Sequence, residues 1–96
     1  MMPRYERPKT IAIDIDGTLY CDGNLNDKLV AWVKRMHKEG YEIIVWSSRG
    51  KQYAKDAAIM AGIDDIADAI ISKPGYVCDD KGWEWIKFTT VVWDID

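Results

Sequence analysis

The stretch Thr10-Ile-Ala-Ile-Asp-Ile-Asp-Gly-Thr18 decides the fold, because a short apolar run ends there in two carboxylates and a glycine. Its branched apolar residues predict a strand over residues 10–15 that is buried on both faces. Asp14 and Asp16 lie two positions apart, so an extended backbone directs both side chains to the same side. Like charges this close repel unless a cation lies between them, so the pair argues for a functional site.

The rest of the chain alternates helix and strand patterns, punctuated by glycine. The first helix is amphipathic and is expected to begin at the N-cap Asn26 and to end at Gly40. Gly62 is expected to end a second helix. The predicted elements are a loop at 16–24, helices at 26–39 and 51–61, strands at 41–46, 66–71, 76–78 and 89–95, and a helical turn or loop at 81–87. This alternation predicts an α/β fold with a small parallel sheet flanked by helices, and ligands at the carboxyl ends of the strands.

Length and composition predict one soluble globular domain over residues 1–96. The chain has 48% hydrophobic and 30% charged residues, and its 96 residues leave no room for a separate lid domain. A net charge of −3 gives no strong signal for binding nucleic acid or an anionic membrane. Cys21 and Cys78 lack the spacing of a zinc site, and no apolar run approaches the ~20 residues of a membrane span, so we expect a cytoplasmic protein.

Four short motifs occur in a fixed order between residues 10 and 80. The first is Asp14-Ile-Asp16-Gly-Thr, and the second is the apolar run Ile43-Ile-Val-Trp followed by Ser47-Ser48-Arg49. Lys73, followed by proline, and the run Tyr76-Val-Cys-Asp79-Asp80 complete the set. Together they resemble the DxDGT motif, the strand ending in Ser or Thr, the conserved lysine and the acidic fourth motif of the haloacid dehalogenase (HAD) superfamily.

The resemblance implies a three-layer Rossmann-like fold and a phosphatase that works through an aspartyl-phosphate. Asp14 would be the nucleophile, and Asp16 would protonate the leaving oxygen and later deprotonate the attacking water. Ser47 would supply a hydroxyl donor and Lys73 a fixed positive charge for the phosphoryl oxygens. We therefore expect a phosphorylated substrate as the partner of this site.

The resemblance also implies Mg²⁺ as the cofactor, because the site is rich in hard oxygen donors. The expected ligands are Asp14, the backbone carbonyl of Asp16 and one of the pair Asp79 and Asp80, with Asp79 as the direct ligand. The expected substrate-binding groups are the backbone N–H groups around Gly17 and Thr18, together with Ser48 and Arg49.

Two departures from the family pattern bear on this interpretation. Only five residues separate Lys73 from Asp79, so the helix and strand of this region are expected to be short. The loop between Asp16 and Asn26 is too short for a cap domain, so the chain resembles the small capless members. Their open sites often accept large phosphate esters, such as nucleotides, nucleic-acid ends or proteins.

Each of these residues also has a purely structural interpretation. The two serines can cap the following helix, Lys73 can be a surface lysine, and the Asp79-Asp80 pair can be a solvated turn. Arg49 can bind substrate phosphate or pair with an acidic neighbour. Three tryptophans, Trp83, Trp85 and Trp93, are core residues, a homo-oligomer face or a substrate-stacking wall.

Three functions are compatible with this set of residues. The first is an active phosphatase, and the second is a catalytically weak module that binds phosphate or Mg²⁺. The third is the receiver domain of a signalling relay, which also gathers carboxylates, Ser or Thr and Lys at strand ends. A receiver would place its acidic pair after the first strand and its phosphorylated aspartate after a central one, whereas here Ser47 is the central residue. The phosphatase is therefore the leading hypothesis.

Overall fold

The computed structural model describes residues 8–82, 84 and 89–92. In chain order its elements are β1 (Thr10–Ile13), β2 (Tyr20–Cys21), β3 (Asn24–Leu25), α1 (Asp27–Lys38), β4 (Glu42–Ser47), α2 (Lys51–Ala61) and β5 (Ala69–Ser72). The α/β fold with a small parallel sheet is confirmed. None of the helices in these described ranges is both long and apolar enough to cross a membrane.

The main sheet has three parallel strands in the order β1-β4-β5. Ile13 of β1 pairs with Val45 of β4, and Ser47 of β4 pairs with Ser72 of β5. Because parallel strands run in one direction, their carboxyl ends lie along one edge of the sheet. That edge carries the residues that follow the strands, so side chains far apart in sequence meet there.

One hydrophobic core joins the sheet to both helices. Ile43 and Val45, alternate residues of β4, are fully buried, whereas Ile44 and Trp46 between them are half-buried. The core also contains buried residues of β1, of both helices and of the segments that follow β1 and α2: Ile13, Ile15, Leu19, Leu29, Val30, Val33, Ala54, Ala57, Ala58, Ala61 and Ile63. Burying one large aliphatic side chain contributes about 1.5–3 kcal/mol, so this core fixes how the helices sit on the sheet.

The predicted helix boundaries are confirmed to within one residue. The Asn26 side chain accepts a hydrogen bond from the Leu29 N–H at 3.2 Å, which caps the start of α1. Gly62 ends α2 in the left-handed conformation, with φ of +73°, which favours glycine over residues with a Cβ atom. Capping chemistry therefore sets where the helices begin and end.

Three predicted segments differ from the structure. The loop at 16–24 contains a two-residue hairpin, β2 and β3, whose turn is Asp22-Gly23 with positive φ at both residues. Residues 76–78 form no strand, because no neighbouring strand pairs with them in the described part of the chain. Residues 89–92, the described part of the predicted last strand, form no strand either. The remaining residues of that strand, including Trp93, lie outside the described residues, as do Trp83 and Trp85.

Candidate active site

The first feature of the strand-end edge is an ion pair between Asp14 and Lys73. Asp14 follows β1 and Lys73 follows β5, and Lys73 Nζ lies 3.1 Å from Asp14 Oδ1. The Lys73 backbone N–H donates to the Ser47 carbonyl at 3.0 Å, so the sheet pairing fixes the base of this side chain. Each side chain is about one-third exposed (Lys73 33%, Asp14 36%), which leaves the pair open to a ligand from solvent.

The second feature is the environment of Asp16. The Tyr53 hydroxyl donates to Asp16 Oδ1 at 2.6 Å, and Arg49 Nη1 lies 3.5 Å from Asp16 Oδ2. Arg49 also donates to the Tyr53 hydroxyl at 3.0 Å, and its guanidinium lies over the Tyr53 ring at 4.0 Å from the centroid. Because the Arg49–Asp16 contact is long and exposed, we attribute the position of Asp16 mainly to Tyr53.

The contact with Asp16 changes the acidity of the Tyr53 phenol. Its hydrogen bond to Asp16, with a smaller contribution from burial, raises the pKa of Tyr53 above its ordinary value. The phenol can donate to the carboxylate only while it keeps its proton, and the ionised phenolate would face a second negative charge. Tyr53 therefore stays protonated and remains a donor to Asp16.

Ser47 ends β4, the central strand of the sheet. It is almost fully buried, and its Oγ accepts a hydrogen bond from the Arg49 N–H at 3.0 Å. Ser47 does not cap α2, because the N-cap is Gly50 and no side chain bonds to the helix start. No described residue accepts a hydrogen bond from the Ser47 hydroxyl, so its proton is available for donation, and Ser48 next to it is exposed.

The backbone after β1 differs from the prediction. The Gly17 N–H donates to the Tyr20 carbonyl at 2.8 Å, and the Thr18 N–H donates to the Ile15 carbonyl at 3.2 Å. Both groups therefore hold the turn together and are unavailable to a phosphate in this conformation. The N–H groups of Ile15 and Asp16 enter none of the hydrogen bonds that close this turn, so they are the donors that remain there.

Asp79 and Asp80 do not form a metal-binding group with the other carboxylates among the described residues. Both are exposed, and Asp79 Oδ1 accepts a hydrogen bond from the Lys81 N–H at 2.8 Å. Within residues 8–82, 84 and 89–92, no three Asp, Glu, His or Cys side chains are close enough to hold a metal ion. The role of this pair as metal ligands stays a prediction.

Tyr53 is the site residue that sequence reasoning missed. Its place in the helical pattern of residues 51–61 predicts a buried core side chain, yet it is only half-buried and its hydroxyl reaches Asp16. The two residues are 37 positions apart, so no local pattern reports the contact. Its spacing from Arg49 gives no helical signal either, because Arg49 precedes the N-cap Gly50 and lies outside α2.

Comparison with known proteins identifies the family. The family model of the haloacid dehalogenase-like hydrolases matches residues 11–91, which is most of the chain. No curated protein and no solved structure matches the chain significantly. The matched range contains both carboxylates after β1, Ser47 and Lys73, so the motifs and the family model agree. The chain belongs to the haloacid dehalogenase-like hydrolase family.

Proposed function

We propose that this hydrolase is a Mg²⁺-dependent phosphomonoester phosphatase that works through a phosphorylated Asp14. The observation that carries the proposal is the Asp14–Lys73 pair, in which a carboxylate and an ammonium lie 3.1 Å apart at an open edge. A second carboxylate, Asp16, is held nearby by a different partner, Tyr53. Two carboxylates with different surroundings are suited to different roles in one reaction.

In the first half of the proposed reaction, an Asp14 carboxylate oxygen attacks phosphorus and the bond to the ester oxygen breaks. Asp16 donates a proton to that oxygen, which leaves as an alcohol. Asp16 Oδ2 suits this transfer, because Oδ1 is occupied by Tyr53 and Oδ2 has only the long contact from Arg49. Lys73 offsets the negative charge on the phosphoryl oxygens, and the Ser47 hydroxyl adds a donor.

In the second half, water attacks the phosphorus of the aspartyl-phosphate. Asp16, now ionised, takes a proton from this water, and the bond between phosphorus and the Asp14 oxygen breaks. Inorganic phosphate leaves, the Asp14 carboxylate is restored, and Asp16 again carries the proton for the next cycle. Because Tyr53 holds Asp16 in one place, the same carboxyl group can serve both steps.

The site offers oxygen atoms that suit part of the coordination shell of a small hard cation. The Asp14 atom that pairs with Lys73 is Oδ1, so Oδ2 is left for another ligand, and the Asp16 backbone carbonyl accepts none of the hydrogen bonds that close its turn. These are oxygen donors of the kind that Mg²⁺ prefers, and Asp79 is our candidate for a further ligand. Bound Mg²⁺ would neutralise part of the phosphate charge.

The test is hydrolysis of an aryl phosphate with and without Mg²⁺. We expect turnover by the wild type that EDTA abolishes and that Asp14→Asn reduces by at least ~10³-fold, because the amide is a poor nucleophile. Asp64→Asn removes an exposed carboxylate elsewhere and should retain wild-type turnover. Circular dichroism of both variants checks that a loss of activity is not a loss of fold.

No turnover across divalent metals and pH would instead favour the second candidate, a module that binds phosphate or Mg²⁺ without catalysis. One observation favours the phosphate-binding form of that candidate: Lys73 offers a positive charge, whereas the expected acidic pair, Asp79 and Asp80, does not join a metal-binding group in the described part of the chain. Phosphate binding that persists in an inactive wild type would support it. Family membership leaves no basis for the receiver-domain alternative.

A further inference from the structure

A cleft opens beside Asp16, between the β2–β3 hairpin and α2. It has a volume of about 540 Å³, within the range of about 300–1,000 Å³ that is typical of small-molecule sites. Tyr20 of the hairpin and Tyr53 of α2 contribute aromatic surface, and Met60 adds an apolar side chain. Asp16 forms part of the same wall, so the proposed proton donor and the cleft are continuous.

Side-chain hydrogen bonds hold both tyrosines in place. The Tyr20 hydroxyl donates to the Ala57 carbonyl of α2 at 3.2 Å, which ties the hairpin to the helix. The Tyr53 hydroxyl donates to Asp16 at 2.6 Å. A rigid aromatic wall binds flat groups at a low cost in conformational entropy, so the cleft is preorganised for a ring.

Exposed carboxylates line the cleft, whereas Arg49, which lies over the Tyr53 ring and 3.5 Å from Asp16, is not among the lining residues. Asp22 at the hairpin turn and Asp56 on α2 both line it, and neither carboxylate forms an ion pair with the described residues. Among the described residues, the Asp56 carboxylate accepts a hydrogen bond from the neutral Gln52 alone, at 2.9 Å. No lysine or arginine lines the cleft within the described ranges. The carboxylates attract cations and repel anions. The Tyr20 ring adds an aromatic surface that attracts a cation, while Arg49 already covers one face of the Tyr53 ring.

We propose that this cleft binds the leaving group of the phosphate ester, and that it takes an uncharged or cationic group with an aromatic ring. The inference rests on the proposed function, in which Asp16 protonates the leaving oxygen. A leaving oxygen beside Asp16 directs the remainder of that group into the cleft. Polyanionic leaving groups, such as a nucleic-acid strand, are correspondingly disfavoured by Asp22 and Asp56.

The test compares two phenyl phosphates that differ only in a para substituent, trimethylammoniomethyl or carboxymethyl. Because the ammonium group still makes its phenol the more acidic of the two, the readout is the change in preference between the wild type and the variants. We expect the wild type to prefer the cationic ester by about tenfold in kcat/KM, because two exposed carboxylates act with opposite signs on the two esters. In the double variant Asp22→Asn/Asp56→Asn this preference should fall to about twofold.

A matched control, Asp64→Asn/Asp65→Asn, removes the same charge from exposed positions that do not line the cleft and should keep the tenfold preference. Equal kcat/KM for both esters in the wild type, or a preference that survives in Asp22→Asn/Asp56→Asn, would overturn the inference.

Binding of the two free phenols, followed by NMR shifts of the tyrosine rings, separates this inference from the proposed function. If the wild type hydrolyses neither ester, the phosphatase proposal fails. Tighter binding of the cationic phenol that is lost in the double variant would still support the cleft, and equal or absent binding of both phenols would overturn it.

Discussion

The strand-end cluster, Asp14, Ser47 and Lys73, contrasts with residues 76–80, which carry the acidic pair Asp79 and Asp80. Backbone pairing of β1, β4 and β5 holds the first region, and the Lys73 N–H extends that pairing. Residues 76–78 belong to no strand, and both aspartates are exposed. The difference teaches that a site on a parallel sheet is only as well placed as the backbone pairing beneath it.

Hydrogen exchange probes this contrast most strongly. Amides of β4 should exchange at least ~10³-fold more slowly than those of residues 76–78, because β4 opens only with the core. The measurement is amide exchange by mass spectrometry or NMR in metal-free buffer. Equal protection in both regions would show that residues 76–78 pair with a neighbour and would remove the contrast. Protection that appears only with Mg²⁺ would sharpen it into metal-dependent docking.

Lys73→Met probes the strand-end cluster itself. Methionine keeps most of the side-chain volume but removes the charge 3.1 Å from Asp14, so we expect kcat to fall about 10²–10³-fold. Lys55→Met, which removes a charge from an exposed position of α2, is the matched control and should have little effect. A wild-type kcat in Lys73→Met would show that Lys73 is a surface lysine with no part in catalysis.

Asp79→Asn and Asp80→Asn probe the second region. We expect Asp79→Asn to raise the Mg²⁺ concentration for half-maximal activity by about tenfold, because it removes one anionic ligand. Asp80→Asn should change it by less, since Asp79 is the proposed direct ligand. A larger effect of Asp80→Asn would mean that Asp80, and not Asp79, is the direct ligand. Wild-type Mg²⁺ dependence in both variants would exclude residues 79 and 80 from the metal site.

The smallest expected effect concerns Tyr53. Its hydrogen bond to Asp16 is the main reason that its pKa is raised. In Asp16→Asn that cause is lost and Arg49 still favours the phenolate, so the pKa of Tyr53 should fall and the phenol should ionise at lower pH. Ultraviolet titration of tyrosinate, with Tyr53→Phe as the reference that lacks this phenol, measures the shift. An unchanged titration would mean that Asp16 and Tyr53 do not interact in solution.

Local signals in the sequence predicted much of the fold. The cap at Asn26 and the stop at Gly62 mark the helices, because their hydrogen bonds and backbone angles depend on residues close in sequence. Apolar runs predicted the strands that pair in the sheet. The same signal failed for residues 76–78, because an apolar run becomes a strand only where another strand offers a partner.

The candidate site also has parts that the sequence predicted and parts that it did not. The family resemblance assigned Asp14 and Lys73 to one site, and the structure places them as an ion pair beyond the ends of β1 and β5. The contact of Tyr53 with Asp16 depends on how α2 packs against the sheet, and no local pattern contains that information. Likewise, the use of the Gly17 N–H within its own turn became evident only from the three-dimensional structure.

The most direct measurement of the central claim is to identify the phosphorylated residue during turnover. The wild type, mixed with an aryl phosphate and Mg²⁺ and quenched in acid, should carry one phosphoryl group on the peptide that contains Asp14. Asp14→Asn should carry none. Steady hydrolysis by Asp14→Asn at the wild-type rate, or a phosphoryl group on a different residue, would contradict the account.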